Sequence, residues 1–212
     1  MRFLRSRLDD ARRRPDNGAV LVEFALVLPV IALLAIGLLE YGSAFREKAL
    51  VERSVQQAAR TAASTANGRY ADYDALRTLD SVLSGAKRGE IERVIVYNAT
   101  GRTDGSVPGV CLGITPSGGG SGSTNRCNVY SAAQVAQGNP VGFPTNAAGT
   151  SCAGGWDSSW CPIGRRRSAP AVDRVGVYVE FRYEPLTGLL PSTGELIKAN
   201  AVYQLEPSYS TS

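Results

Sequence analysis

The sequence predicts an α+β chain in which one long N-terminal helix, transmembrane and then amphipathic, packs on a small antiparallel sheet carrying a loop-rich, disulfide-bearing insertion. Three observations carry this expectation. Ala19 to Leu39 is an apolar run of twenty-one residues in which Glu23 is the one charged side chain. Apolar residues then recur at helical spacing as far as Ala66. Near the other end, Val175, Val177, Val179, Phe181 and Tyr183 alternate with mostly polar neighbours, the period-two pattern of a strand.

As a helix rising about 1.5 Å per residue, the apolar run reaches about 31 Å, close to the hydrocarbon thickness of a bilayer. Arg2, Arg5, Arg7, Arg12, Arg13 and Arg14 precede it, against Asp9, Asp10 and Asp16; beyond it Arg46, Lys48 and Arg53 are offset by Glu47 and Glu52. The positive-inside bias therefore puts the N-terminus in the cytoplasm and everything after about Tyr41 outside. The expected organisation is a basic cytoplasmic leader over 1–18, a transmembrane segment over 19–40 and an extracytoplasmic α+β domain over 41–212, with 99–170 as the insertion. The leader holds +3 of the total charge of +4, so the outer domain is almost neutral. The arginines then serve topology and anionic headgroups, and nucleic acid is not an implied partner.

Pro15-Asp16-Asn17-Gly18 are turn formers between the leader and the helix. From Tyr41 onward Ala44, Val51, Val55, Ala59, Ala62 and Ala66 form one stripe, while Arg46, Glu47, Glu52, Arg53, Gln56 and Arg60 fill other faces. Asn67-Gly68 is the expected stop. A second helix is expected over Asp72–Ala86, with Leu76, Leu79, Val82 and Leu83 on one side and with Asp72 and Asp74 as helix-start carboxylates. Arg93–Tyr97 reads as a strand, as does Leu196–Leu205, the latter after a turn over Pro185–Pro191. Arg174–Tyr183 reads as half-buried. The sheet should have three or four strands, its apolar face on the amphipathic half of the long helix.

Residues 99–170 are rich in Gly, Ser, Pro, Asn and Thr and hold all four cysteines, Cys111, Cys127, Cys152 and Cys161. An even count outside the cytoplasm reads as two disulfides. Three pairings are possible, and the local one, Cys111–Cys127 with Cys152–Cys161, is expected. Each would contribute about 3 kcal/mol in the chain-entropy treatment, which suits a segment with few apolar residues. Zinc is the rival, but no C-x-x-C pair occurs and the chain has no histidine. Trp156 and Trp160 either pack beneath the disulfide loop or offer a contact surface to a sugar or protein. Arg165-Arg166-Arg167 reads as a solvated loop.

Enzyme chemistry finds little here. Without histidine there is no Ser-His-Asp or Cys-His arrangement, and no nucleotide-binding or nucleophile-elbow pattern occurs. The expectation is a non-enzymatic chain with no metal and no cofactor.

The position of Glu23 carries a more specific message. A basic leader ending in Gly18, then Ala19, then Glu23 as the fifth residue of an apolar helix, resembles a type IV pilin processing site. Val22-Glu23-Phe24-Ala25-Leu26-Val27-Leu28-Pro29, Gly37-Leu38-Leu39-Glu40-Tyr41-Gly42 and Gln56-Gln57-Ala58-Ala59-Arg60 resemble the TadE-like family, minor pilin-like proteins (pseudopilins) of the tight-adherence, or Flp pilus, machinery. The likeness is strong over residues 17–66, weaker in the closing strands, and does not cover residues 99–170. It implies a pilin-like architecture, cleavage between Gly18 and Ala19 by a prepilin peptidase, and an assembly role for Glu23. It also implies partners among other pilin-like subunits and the inner-membrane platform of a pilus or related secretion apparatus. The residues support part of this independently, because a carboxylate inside a span costs a few kcal/mol and normally has a partner. The amino group of a neighbouring subunit's Ala19 is one such partner; lipid headgroups are the other. Pro29 should kink or loosen the helix. Two alternatives stay open: an unprocessed single-pass anchor for an outer binding domain, and signal-peptidase cleavage after Gly42-Ser43-Ala44, leaving Phe45 first.

Overall fold

The computed structural model describes residues 17–86, 89–143, 150–187 and 195–207. The leader up to Asp16 and the end of the Pro185–Pro191 turn lie outside them. The chain divides into two compact units, Met1–Ser43 and Ala44–Ser212.

Helix α1 spans Asn17–Thr65 and continues through Pro29. In the first unit its side chains are exposed all round from Gly18 to Ala35. Among the described residues it is the one helix long and apolar enough to cross a membrane, its most apolar window having a mean hydropathy of 2.8. The helix ends one turn before the expected glycine. Ala66 itself adopts the left-handed conformation (φ 49°) while its N–H still donates to the Ala62 carbonyl, and Asn67-Gly68 forms the following turn.

In the second unit the same helix has one buried stripe. Val51, Val55, Ala59, Ala62 and Ala66 are fully buried, and Ala58 and Ala63 widen the stripe. Ala44, expected on it, is only partly covered, and Glu47, expected on an outer face, is buried. The stripe meets α2 (Ala71–Leu83) through Leu76, Leu79 and Leu83, and meets the sheet through Val94, Val96, Val177, Val179, Phe181 and Tyr183. Helix α2 stops three residues short of the expected end, where Gly85, the poorest helix former there, follows Ser84.

Among the described residues the sheet has five antiparallel strands, more than expected, in the spatial order β2 (Ser121–Ser123), β3 (Cys127–Ser131), β1 (Gly89–Asn98), β4 (Arg174–Tyr183) and β5 (Glu195–Gln204). β1, β4 and β5 lie in the regions read as strands. Val94 sits opposite Val179, and Val179 opposite Ala199. The two additional strands, β2 (Ser121–Ser123) and β3 (Cys127–Ser131), come from the insertion, with Tyr130 opposite Val94. β3 escapes a pattern search because it is short and four of its five residues are buried, so inside and outside do not alternate.

For the same reason β4 is not half-buried. Its helix-facing side carries Val175 to Tyr183 as expected, but Tyr178 and Glu180 on its other side are also buried. That side is covered by a second apolar cluster of Ile95, Tyr97, Val129 and Tyr178 with Cys111 and Cys127. A short helix, α3 (Gly109–Leu112), brings Cys111 there. Gly176 is required by this layer, because a Cβ at that position would overlap the Tyr97 ring. Gly176→Val should therefore destabilise the folded protein by about 1–3 kcal/mol through overpacking. Denaturant unfolding of the full chain in detergent measures it, and an unchanged midpoint would remove Gly176 from this role.

Candidate functional site

The residues singled out near the N-terminus all lie on α1. Gly18 and Ala19 sit in its first turn, and both are exposed. A Cβ at Gly18 would meet nothing within 4 Å, so packing gives no reason for glycine there. Glu23 follows one turn later. Its helical neighbours one turn away are Ala19, Val20, Leu26 and Val27, none of which offers a charge. The carboxylate thus projects from a surface that is otherwise apolar, and Pro29 lies further along the same uninterrupted helix. These four residues share one helix but do not converge on a pocket.

In the second unit, chemistry that periodicity could not reveal collects around Asp72. Its Oδ2 accepts hydrogen bonds from the Tyr130 hydroxyl at 2.7 Å and from Asn128 Nδ2 at 2.8 Å. Its Oδ1 accepts from Arg165 Nη2 at 2.5 Å, and neither side chain of this ion pair has any exposed surface. The Arg165 guanidinium lies 4.0 Å from the centre of the Trp160 ring, a cation–π contact in a dry setting. Asn128 closes the group by accepting from the Trp160 N–H at 2.8 Å and donating to the Trp160 carbonyl at 3.0 Å. Asp72 is therefore more than a helix-start carboxylate.

The three arginines read as a solvated loop are engaged one by one. Arg165 is buried as described, Arg166 pairs with Asp173 at 3.0 Å, and Arg167 donates to Asn67 Oδ1 and to the Glu206 carbonyl, both at 3.1 Å. Trp160 is a core residue, and Trp156 meets the Phe143 ring edge-on at 5.5 Å between centroids. Both tryptophans pack. They sit beside the Cys152–Cys161 bond, while the other bond joins Cys111 to Cys127.

A second polar clasp holds the insertion on the opposite face of the sheet. Arg93 grips Glu180 with two hydrogen bonds, of 2.7 and 2.9 Å, and its third nitrogen donates to the Leu112 and Ile114 carbonyls. Burial works against ionisation of Glu180, but the hydrogen bonds from Arg93 and from the Tyr178 hydroxyl hold its carboxyl below the usual range. Among the described residues no group of three or more His, Cys, Asp or Glu side chains is arranged to hold a metal ion. What the clusters do is join distant segments.

Residues 18–63 match the family described as TadE-like protein. The match lies within α1, from Gly18 through the amphipathic half, and leaves the sheet and the cysteine segment outside it. No curated protein and no solved structure matches the chain.

Asp157, buried near this centre, is pushed up to about 7, mainly by burial and further by the negative charge of Asp72. The folded state thus keeps a proton that the unfolded chain releases near the usual value of 3.8. This contribution to stability is complete below that value and is lost as pH rises through about 7. Unfolding midpoints of the full chain should decline over that window, and Asp157→Asn should flatten the decline. Parallel curves for the two proteins would refute it.

Proposed function

We propose that this chain is a non-enzymatic, pilin-like minor subunit that takes part in assembling a tight-adherence (Flp-type) pilus or a related secretion apparatus. The observation that carries the proposal is the placement of Glu23 five residues after Gly18 on the apolar helix that matches the TadE-like family. In this reading a prepilin peptidase in the bacterial cytoplasmic membrane cuts after Gly18. Ala19 becomes the first residue, and its amino group neutralises Glu23 of a neighbouring subunit. Inside hydrocarbon such a pair is favoured over two separate charges.

The mechanism is packing. The apolar half of α1 is held by lipid, with the leader in the cytoplasm, and then transfers into a bundle of like helices. Lipid gives no hydrophobic drive for helix association, so shape and charge pairing select the partners. The partners proposed are the prepilin peptidase, other pilin-like subunits and the inner-membrane platform. The second unit lies outside the membrane, a placement supported by its two disulfides, which persist in oxidising compartments.

The second reading keeps the chain as an unprocessed single-pass anchor for an outer binding domain. Mass spectrometry of the native protein separates the two: a chain beginning at Ala19 supports processing, one beginning at Met1 supports the anchor, and one beginning at Phe45 supports signal peptidase. Gly18→Phe should leave a precursor heavier by residues 1–18, and unchanged mobility would sink the processing claim. Glu23→Gln should leave membrane insertion intact while reducing co-purification with other pilin-like subunits at least tenfold. Full retention of those partners would show that Glu23 has no assembly role.

A further inference from the structure

One end of the sheet carries a polar cleft of about 290 Å³ that neither the apolar helix nor the buried ion pair uses. Three loops build it: the turn after β1, with Asn98, Thr100 and Arg102; Pro108, just before α3; and the turn between β2 and β3, with Thr124, Asn125 and Arg126. Two guanidinium groups line it and no carboxylate does. Two acids border it: Asp104 accepts from the Ser106 N–H at 3.0 Å and feels the charge of Arg102, and Asp173 is held by Arg166 and accepts from the Thr100 hydroxyl at 3.4 Å.

The arginines and their loops are held in place. Arg102 donates to Ser106 Oγ at 3.1 Å, and its carbonyl accepts from Arg174 at 2.9 Å. The turn bearing Arg126 is fixed on both sides, since the Asn125 N–H donates to the Ser159 carbonyl at 2.8 Å and the Asn98 N–H to the Arg126 carbonyl at 2.7 Å. Cys127, the next residue, is disulfide-bonded to Cys111. Among the described residues the Arg126 side chain has no hydrogen-bond or ion-pair partner. Its donors are exposed on a fixed loop, which lowers the ordering cost of binding.

We propose that this cleft binds an acidic sugar residue, with its carboxylate between Arg102 and Arg126. Planar guanidinium groups match a carboxylate in charge and in fork geometry. The rest of the lining suits the remainder of such a ligand: the exposed Thr124 and Asn125 offer a hydroxyl and an amide to sugar hydroxyls, and Pro108 adds an apolar wall. The volume falls at the small end of ligand pockets, the size of one or two sugar rings.

The test is titration of the full chain in neutral detergent with glucuronate, glucose and inorganic phosphate, followed by calorimetry or by NMR shifts of the Asn125 and Arg126 amides. Saturable glucuronate binding is expected, at least tenfold tighter than glucose and tighter than phosphate. Arg126→Ala should weaken it at least tenfold and Arg102→Ala severalfold, with the unfolding midpoint of the exposed Arg126 variant unchanged. Equal binding of phosphate and glucuronate would reduce the cleft to an adventitious anion site. Absence of saturable binding, or full retention in Arg126→Ala, would overturn the proposal, and either result leaves the processing of Gly18 untouched.

Discussion

The close approach of α1 to the sheet is the constraint on which the second unit depends. Five residues on its buried stripe are alanines, counting Ala58, Ala59, Ala62, Ala63 and Ala66, with Val55 and Val51 one and two turns earlier. Small side chains remove little surface from water themselves. They let the branched and aromatic side chains of β4 and the leucines of α2 reach the helix backbone, and those larger groups supply the apolar burial. From Gly18 to Ala35 the same helix has no such stripe, its side chains being exposed all round. One element thus carries two kinds of surface in succession.

The cysteine segment is held by other means. It contributes Tyr130, Val135, Phe143 and Trp160 to the main core, few apolar groups for its length. Its remaining attachment comes from the pairing of β3 with β1, the second apolar cluster, the Asp72–Arg165 pair on one side of the sheet and, on the other, Arg93, which pairs with Glu180 and donates to the Leu112 and Ile114 carbonyls. The two disulfides close loops within the segment. A buried ion pair gains little over an apolar contact of the same volume, since desolvation offsets the Coulomb term. It does penalise every arrangement in which one charge loses its partner. These pairs fix where the insertion docks more than they add to overall stability.

A division of labour follows. The segment that carries the family likeness is almost featureless in packing terms, with exposed apolar side chains and one carboxylate. The unit that follows holds the specific chemistry, including a clasped insertion and a cleft at the end of the sheet lined by Arg102 and Arg126. Local order in the first is a matter of propensity and solvent; in the second it depends on contacts between residues far apart in sequence.

That difference marks what the sequence determined by itself. The helix and its apolar half, the buried stripe, β1, β4 and β5 were legible, because each shows as a period or a run within a window of ten to twenty residues. So was the motif Gly18-Ala19-Glu23, which needs only spacing. Strands β2 and β3 were not, since short segments covered on both sides lack alternation. The roles of Asp72 and Arg165 were hidden because the two lie 93 residues apart, and neither one's neighbours distinguish a buried ion from a solvated one. Periodicity reports the solvent that each face meets; only the tertiary structure decides which distant group replaces that solvent.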